Sequence, residues 1–354
     1  MSGQSVPPHA ASTADLAGVR VDAVSQWLVD NIDGAVAPFR FDLIAGGRSN
    51  LTFRVTGADG TVFVLRRPPL GHVLATAHDM AREHRVITAV GRTGVPVPAT
   101  LGLCTDTAVN DAPFYVMALV GGVVLDSVER ADLLPIELRR PASEHLIDVL
   151  ADLHSVDIDE VGLGDFAKRD GYIERQVRRW SAQWEGSKTR EIPAIDEVAA
   201  RLRDHIPQQR ATTIAHGDYR FGNCLADVGR GRITAVLDWE LCTLGDPLAD
   251  VGYLGVYWYD GEAANVRAND PTSAPGFPSY ADMLERYALR TGRDLSGIDY
   301  YVAFSCWRLA VISEGVYARY LHGSMGDQAV DIEPIRVGVE ALAERALAAV
   351  GRLR

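Results

Sequence analysis

Strand-forming segments are concentrated in the first third of this chain, and helix-forming segments make up most of the rest. Apolar segments at 41–44, 51–55 and 61–65 are separated by turn residues, and Asp59-Gly60 is a strong hairpin signal. Another apolar segment, 114–120, ends at Gly121-Gly122. This distribution predicts an α+β protein with two lobes, a small β-rich N-terminal lobe and a larger α-helical C-terminal lobe.

Apolar spacing and composition predict the longer helices. They cover 21–31, 77–90, 141–154, 171–184, 280–290, 300–320 and 333–350. We expect a disordered tail at 1–18, an N-terminal lobe at 19–121 and a C-terminal lobe at 122–354. The tail lacks the basic start and apolar core of a signal peptide.

Composition excludes several classes of protein. The net charge of −12, from 35 basic and 47 acidic residues, argues against nucleic-acid binding, which needs a basic surface. No apolar run reaches the ~18 residues expected of a membrane span. The four cysteines form no CxxC pair, so we expect free thiols in a reducing compartment and a cytoplasmic protein. The oligomeric state is left open.

The segment from His216 to Asn223, followed by Asp238 at the end of an apolar run, carries the clearest chemistry. Asp218 is suited to accept the proton of an attacking hydroxyl group. Asn223 and Asp238 offer hard oxygen ligands for the magnesium ion of a nucleoside triphosphate. The alternative is an ordinary turn in which Asp, Gly and Asn satisfy backbone geometry. The pattern HxDxxxxN, with a following strand and a terminal Asp, favours the chemical role.

These residues resemble the catalytic motif of the aminoglycoside phosphotransferase-like family, which has the protein-kinase-like fold. The resemblance covers nearly all of the chain after the tail, and choline, homoserine and fructosamine kinases are similar. It implies a kinase that uses ATP and Mg²⁺ to phosphorylate an alcohol group of a small molecule. It also implies that Asp218 is the catalytic aspartate and that Asn223 and Asp238 bind magnesium.

The same resemblance implies that the N-terminal lobe binds the nucleotide. Backbone N–H groups of a loop between two strands can cover phosphates, although an ordinary hairpin turn is the alternative. The loop consists of Gly46, Gly47, Arg48, Ser49 and Asn50. The hinge segment, whose backbone would contact adenine, corresponds to Met117, Ala118 and Leu119.

Arg66 occupies the position at which kinases of the V-A-I-K pattern carry a lysine, and Glu83 is its expected partner. Arginine keeps the positive charge but presents a planar fork of donors. Similar proteins often have Leu-Arg-Arg-Pro-Pro here. Either Arg66 or Arg67 is expected to be a solvated strand end, and alternation with Val64 favours Arg66 as the nucleotide-binding residue.

Asp246 and Asp250 resemble the segment that braces the catalytic loop. We interpret them as structural residues, with an ion pair to Arg220 as one expectation.

The sequence defines the acceptor less clearly. Arg175, Arg178 and Arg179 share one helical face, which either meets an anionic acceptor such as a coenzyme A thioester or is simply solvated. Residues 171–180 resemble part of the kinase-like half of proteins fused to acyl-CoA dehydrogenases, which implies a hydroxyacyl-CoA acceptor. A group of aromatic residues lines either an acceptor pocket or the core: Tyr253, Tyr257, Trp258, Tyr259 and Trp307.

Three functions are therefore compared. The leading one is a small-molecule kinase. The second is a nucleotide-binding pseudokinase that regulates or scaffolds a partner, suggested by Arg66 in place of lysine. The third is an aminoglycoside kinase, which shares the chemistry and differs in the acceptor.

Overall fold

The computed structural model describes residues 17–45, 50–70, 79–259, 270–323 and 331–353. The chain divides into two compact units. Unit 1 runs to Arg85 and includes 99–119, and unit 2 comprises 86–98 and the chain from Val120 onward. The predicted tail at 1–18 lies almost entirely outside the described residues, and the predicted lobe boundary at 121 and 122 stays a prediction.

Unit 1 is built on an antiparallel five-stranded sheet with the order β1-β2-β3-β5-β4. Its strands are β1 (Arg40–Ala45), β2 (Leu51–Thr56), β3 (Val62–Arg67), β4 (Thr100–Cys104) and β5 (Phe114–Ala118). Among its described residues, unit 1 contains α1 (Val21–Asn31) and the single-turn α3 (Thr107–Asn110), while α2 (Met80–Val90) begins in unit 1 and continues into unit 2.

Helix α1 packs on the sheet because its apolar residues recur at helical spacing. Val24 and Leu28 are fully buried with Phe53 and Phe114 of the sheet. The β2–β3 connection contains Asp59-Gly60, and the positive φ of Gly60, +85°, is the conformation that favours glycine in tight hairpin turns. The predicted hairpin is confirmed.

Unit 2 is mainly helical. Its helices are α4 (Val128–Ala131), α5 (Ile136–Leu153), α6 (Tyr172–Ser187), α7 (Pro193–Asp204), α8 (Leu248–Val256), α9 (Tyr280–Thr291), α10 (Ile298–Leu321) and α11 (Glu333–Val350). Its short strands are β6 (Val123–Val124), β7 (Thr213–Ala215), β8 (Cys224–Asp227), β9 (Arg232–Val236) and β10 (Thr243–Gly245). They form one sheet of order β6-β8-β9 and a separate β7–β10 pair.

The core of unit 2 lies around α10, which packs against α6, α7, α8 and α11. Trp184 and Trp307 are among its largest fully buried side chains. None of the described helices is both long and apolar enough to cross a lipid bilayer. All four cysteines are free and buried.

Helix α5 differs from its sequence-based prediction. The expected start was Pro141, since proline is common in the first turn of a helix. The helix begins instead at Ile136, after Pro135 at the N-cap, and continues through Pro141. The predictions for α1 and α11 match the structure, and the other long helices agree within a few residues at their ends.

Candidate active site

The loop with the HxDxxxxN pattern follows β7, which pairs with β10. Gly217 takes a φ of +84°, and a Cβ atom added there would lie 2.9 Å from the carbonyl oxygen of Leu241. Both the backbone conformation and the close approach therefore require glycine. After this turn, Phe221–Asn223 forms a single turn of 3₁₀ helix that leads into β8. The tight turn places Asp218 and Asn223 on one short, well-defined segment.

Asp250, near the start of α8, anchors this loop through main-chain atoms. Its Oδ2 accepts the backbone N–H of His216 at 2.7 Å, and its Oδ1 accepts that of Gly217 at 2.7 Å. Burial alone would raise the pKa of Asp250, but the hydrogen bond from His154 and its other partners hold the pKa below the ordinary value. The bracing role comes from these bonds and not from Arg220, whose expected pairing with this segment is wrong.

His154, at the end of α5, connects Asp250 to Tyr287. Its Nε2 lies 3.2 Å from Asp250 Oδ2, and its Nδ1 lies 2.7 Å from the Tyr287 hydroxyl oxygen. Burial lowers the pKa of His154, so the neutral ring is favoured. A neutral ring with one proton donates from Nε2 to the carboxylate and accepts at Nδ1 from the Tyr287 hydroxyl group. Tyr287, His154 and Asp250 thus form a buried chain of hydrogen bonds that ends at the backbone of the loop.

Asp218 is held by its own loop. The side-chain amide of Asn223 donates to the Asp218 backbone oxygen at 2.8 Å and to Oδ2 at 2.7 Å. The guanidinium of Arg220 lies 3.4 Å from Asp218 Oδ1, and it stacks 4.8 Å from the ring centre of Tyr257. The Asp218 side chain keeps 19% of its surface exposed. One carboxylate oxygen is therefore fixed by an amide, and the other faces a cation.

Asn223 and Asp238 are brought together by the pairing of β8 with β9. Cys224 pairs with Val236, and one step further the Leu237 N–H donates to the Asn223 carbonyl at 2.8 Å. The His216 Nε2 donates to the Leu237 carbonyl at 2.9 Å. Asp238 follows directly and has a left-handed conformation with a φ of +63°. Such strain in a non-glycine residue is common at functional sites.

The donor atoms of Asn223 and Asp238 suit a magnesium ion. Because the amide nitrogen of Asn223 is turned toward Asp218, its oxygen is the atom available as a ligand. An amide oxygen and a carboxylate are hard ligands, and Mg²⁺ is commonly held by one or two protein groups plus substrate phosphates. Among the described residues, no group of three or more His, Cys, Asp or Glu side chains is arranged for a metal.

Arg308 of α10 supports the loop from inside the core and was not found from the sequence. Its Nη2 donates to the Gly217 carbonyl at 2.5 Å, and its guanidinium lies 4.7 Å over the ring of Tyr253. Arg308 is only 6% exposed. It is the one charged residue between Asp299 and Glu314 in the sequence, and this isolation in an apolar helix was the available signal.

In unit 1 the expected pairing of Arg66 with Glu83 is present. Arg66 Nε lies 3.1 Å from Glu83 Oε2, and the Glu83 side chain is 2% exposed. Glu83 also accepts hydrogen bonds from the Asn50 amide at 2.8 Å and from the Tyr115 hydroxyl at 3.1 Å. The Asn50 side chain is thus directed to Glu83, so it orients the carboxylate. Tyr115 was not predicted, although it pairs directly with Arg66 across the sheet.

Arg67 is not the solvated strand end that the sequence suggested for one of the two arginines. It is 6% exposed and donates to the carbonyl groups of Gly18 and Pro68 at 2.5 Å and 2.9 Å. Burial lowers its pKa. Arg67 therefore ties β3 to the segment before α1, which leaves Arg66 as the arginine on Glu83.

The other residues predicted to bind the nucleotide form two groups, the loop between β1 and β2 and the end of β5. Gly46, Gly47, Arg48 and Ser49 lie outside the described residues. Met117 and Ala118 end β5, where the Ala118 N–H donates to the Ala99 carbonyl at 2.8 Å. Leu119 follows the strand and is 43% exposed. Leu119 is thus the first residue of the proposed hinge whose backbone is outside the sheet.

The arginines of α6 are on a solvated face. Arg178 is 71% exposed and lies 3.9 Å from Glu174, and Arg175 donates to the Lys168 carbonyl. Arg179 stacks on Trp180. Of the aromatic residues, Trp307 belongs to the core of unit 2. Tyr257 and Trp258 instead line a small cavity with Arg220 and Phe221 of the loop 216–223, which we call the catalytic loop for its proposed role.

A β-rich unit with an Arg–Glu pair and a helical unit with an HxDxxxxN loop are the features expected of a small-molecule phosphotransferase of the protein-kinase-like fold, and the comparisons with known proteins show that class. The model of the family described as "Phosphotransferase enzyme family" matches residues 40–283, well over half of the chain. The chain belongs to this family. The α+β, two-lobed kinase-like fold predicted from the sequence is confirmed.

Individual relatives agree with this assignment. A candidate aminoglycoside phosphotransferase from Ralstonia eutropha is 33% identical, with a TM-score of 0.80 over 94% of this chain and 98% of that one. Acyl-CoA dehydrogenase family member 10 of Mus musculus is 37% identical over 78% of this chain and 26% of its own length. The probable acyl-CoA dehydrogenase IBR3 of Arabidopsis thaliana is 32% identical over 94% of this chain and 43% of its own length. The chain thus spans less than half of these two curated relatives.

Proposed function

We propose that the chain transfers the γ-phosphate of ATP to an alcohol group of a small molecule, with Asp218 as the catalytic residue. The observation that carries the proposal is the fixed Asp218 carboxylate, held at 2.7 Å by Asn223. A base for hydroxyl attack must be held in place by its surroundings, and kinases use an aspartate of a catalytic loop with this spacing. ATP and a divalent metal are typical of the family.

In the proposed reaction, Asp218 accepts the proton of the acceptor hydroxyl group as its oxygen attacks the γ-phosphorus. A P–O bond forms to the acceptor, and the bond to the leaving ADP breaks. Asn223 and Asp238 would hold Mg²⁺, which neutralises phosphate charge when bound. Arg66, oriented by Glu83, supplies positive charge to the phosphates, assisted by the backbone of the loop 46–50. Met117, Ala118 and Leu119 contact the adenine ring in this proposal.

For the acceptor we propose a hydroxyacyl-CoA. The support is similarity to proteins named as acyl-CoA dehydrogenases, in which a part resembling this chain is joined to a longer protein. An aminoglycoside acceptor is the second candidate, since a 33% identical structure bears that description. The free, buried cysteines agree with the reducing conditions of the cytoplasm, which we propose as the location.

The test is a phosphate-transfer screen with purified protein, ATP and Mg²⁺, over hydroxyacyl-CoAs, aminoglycosides, choline and sugars. We expect ADP release with a hydroxyacyl-CoA and a loss of about 10²- to 10⁴-fold in Asp218→Asn. Asp227→Asn, a change at the end of β8 remote from the base, is the matched control and should retain activity. Equal turnover in Asp218→Asn would contradict the mechanism. ATP binding without transfer to any acceptor would favour the pseudokinase.

A further inference from the structure

Unit 2 contains a cavity whose lining residues all lie outside the loop 216–223. Its volume is about 430 Å³, within the range of small-molecule sites. Three segments line it: the loop 207–211 after α7, the turn 246–248 at the start of α8, and the connection 292–297 between α9 and α10. Tyr301 completes the wall. The lining combines the apolar residues Pro207, Pro247 and Leu248 with charged side chains, so it suits a ligand with both an apolar and a polar part.

The charged side chains of this cavity offer more hydrogen-bond donors than acceptors, because its two carboxylates already accept hydrogen bonds within the protein. Asp246 already accepts bonds on both oxygens, from the Tyr301 hydroxyl at 2.7 Å and the Leu248 N–H at 3.0 Å. Asp294 likewise accepts from Arg210 at 2.7 Å and from the Ser296 N–H at 2.9 Å.

The guanidinium groups of Arg210 and Arg293 have more N–H donors than the hydrogen bonds they make. Within the described part of the chain, the Arg210 guanidinium makes one hydrogen bond, to Asp294. Arg293 uses one donor on the His154 carbonyl at 3.0 Å and lies beside the Tyr287 hydroxyl. A guanidinium has five N–H donors, and the Arg210 side chain is 72% exposed, so its remaining donors are open to water or to an acceptor group of a ligand.

The nine-residue α8 begins at Leu248 and the 24-residue α10 begins at Ile298, both at the wall of the cavity. The N-terminus of a helix carries a partial positive charge and attracts anions. The N-terminus of α8 is already capped, because the Leu248 N–H donates to the Asp246 carboxylate and the Ala249 N–H to the Asp246 carbonyl. The preference for a negatively charged ligand therefore rests on Arg210 and Arg293.

The cavity is also connected to the catalytic loop. Arg293 holds the main chain of His154, and His154 bonds Asp250, which in turn binds the backbone of His216 and Gly217. A ligand that contacts Arg293 is thus two side chains away from the anchor of the loop.

We propose that this cavity binds a small organic anion, with its carboxylate or phosphate group on Arg293 and Arg210 and its carbon skeleton against Leu248 and Pro247. Binding restrains the His154–Asp250 pair and, through it, the backbone of the catalytic loop. The proposal concerns a site separate from the one that carries phosphate transfer and is tested without nucleotide.

The test measures the thermal unfolding temperature of the nucleotide-free protein with inorganic phosphate, with succinate, or with chloride at equal ionic strength. We expect phosphate or succinate, but not chloride, to raise this temperature by roughly 2 °C at a concentration several times the dissociation constant. Whichever anion acts identifies phosphate or carboxylate as the bound group. No shift with either anion overturns the proposal.

Variants locate the response. Arg210→Gln changes an exposed loop residue that should not affect folding, and Arg293→Gln is the second variant; both should lose the shift. Arg201→Gln, an exposed arginine of α7 in a comparable ion pair with Glu197, should keep it. Arg66→Gln should also keep it, because that residue belongs to the proposed nucleotide site. A shift lost in Arg66→Gln and kept in Arg210→Gln and Arg293→Gln would overturn the assignment.

Hydrogen exchange tests the link to the loop. The anion should slow amide exchange in peptides covering 213–223 of the unaltered protein, and it should have no such effect in Arg210→Gln. Unchanged exchange there, together with a temperature shift, would overturn the coupling.

Discussion

His154 and Asp250 are joined by a hydrogen bond of 3.2 Å between Nε2 and Oδ2, although their side chains are 0% and 1% exposed. The pair lies between Tyr287 and the backbone of the catalytic loop. A neutral imidazole satisfies all of these partners, whereas a protonated one would put a second N–H against the Tyr287 hydroxyl and bury a charge. The position of the loop therefore depends on the protonation state of a buried histidine.

We expect the stability of the protein to fall as pH drops below about 6.5, the ordinary pKa of histidine, because burial lowers the pKa of His154. The unfolded chain then binds a proton that the folded chain does not, which favours unfolding by up to about 1.4 kcal/mol per pH unit. In His154→Gln the amide still donates to Asp250 but cannot titrate, so this part of the slope should disappear. Urea unfolding between pH 5.5 and 7.5 measures both.

His205→Gln, a change of an exposed residue at the end of α7, serves as the control and should keep the full slope. The comparison of variants also cancels the contribution of Asp246, whose pKa is raised by burial. The same slope in His154→Gln as in the unaltered protein would show that another group is responsible.

Asp250→Asn should cost about 2 to 4 kcal/mol of unfolding free energy and most of the activity. The two carboxylate oxygens of Asp250 accept hydrogen bonds from three N–H groups. In the asparagine variant, the side-chain NH₂ group would therefore face one of these donors in either orientation of the amide. Asp246→Asn should cost less than about 1.5 kcal/mol, because the Tyr301 hydroxyl can reverse and accept from the new amide. Denaturant unfolding of both variants checks the difference; equal losses would contradict the assigned hydrogen bonds.

Gly217→Ala should destabilise the protein by about 2 to 4 kcal/mol and displace Asp218, lowering kcat. A methyl group there combines a positive φ with the contact of 2.9 Å to Leu241. Gly162→Ala is the control, since its φ is +78° but no atom lies within 4 Å of the added Cβ. It should show only the conformational cost of about 1 kcal/mol. Thermal unfolding and steady-state kinetics separate the two effects.

Arg66→Gln should raise the KM for ATP by about tenfold or more, since it removes the charge proposed for the phosphates. Arg66→Lys should recover much of this loss, although a lysine cannot bond Glu83 and Thr52 together as the guanidinium does at 3.1 Å and 3.4 Å. Arg40→Gln, which alters an exposed pair with Asp42 on β1, should have no effect. An unchanged KM in Arg66→Gln would remove Arg66 from the nucleotide site.

Asp238→Asn should raise the Mg²⁺ concentration needed for half-maximal activity by about 10- to 100-fold. Asparagine tolerates the left-handed backbone of this position, so the fold is kept while the charge on the ligand is lost. Activity titrated with MgCl₂ at fixed ATP is the measurement. A loss of activity that excess magnesium does not reduce would instead indicate a structural role.

The proximity of the candidate site residues was predictable where those residues are close in sequence. Asp218 and Asn223 are five residues apart on one loop, and Asp238 follows at the end of the next hairpin, so spacing alone brings them together. The Arg66–Glu83 pair required only the order of a strand and a helix. In these cases a short sequence pattern is enough to predict which residues lie close together.

What the sequence could not provide depends on contacts over long separations. His154 meets Asp250 across 96 residues, and Arg308 reaches the Gly217 carbonyl across 91. Neither pairing follows from local spacing, because each is set by how α5 and α10 pack against other elements of unit 2. The expected Arg220 contact with the segment 246–250 was wrong for the opposite reason, since Arg220 pairs with Asp218, which is only two residues away.

The four cysteines have a practical consequence for chemical labelling. All are buried, and burial raises the pKa of the thiols of Cys104, Cys224 and Cys306, so thiolate, the reactive form, is scarce at neutral pH. The natural chain should therefore react slowly with maleimides without any cysteine being removed. A single cysteine introduced on the surface would then be a selective attachment point for a fluorophore or spin label on either unit.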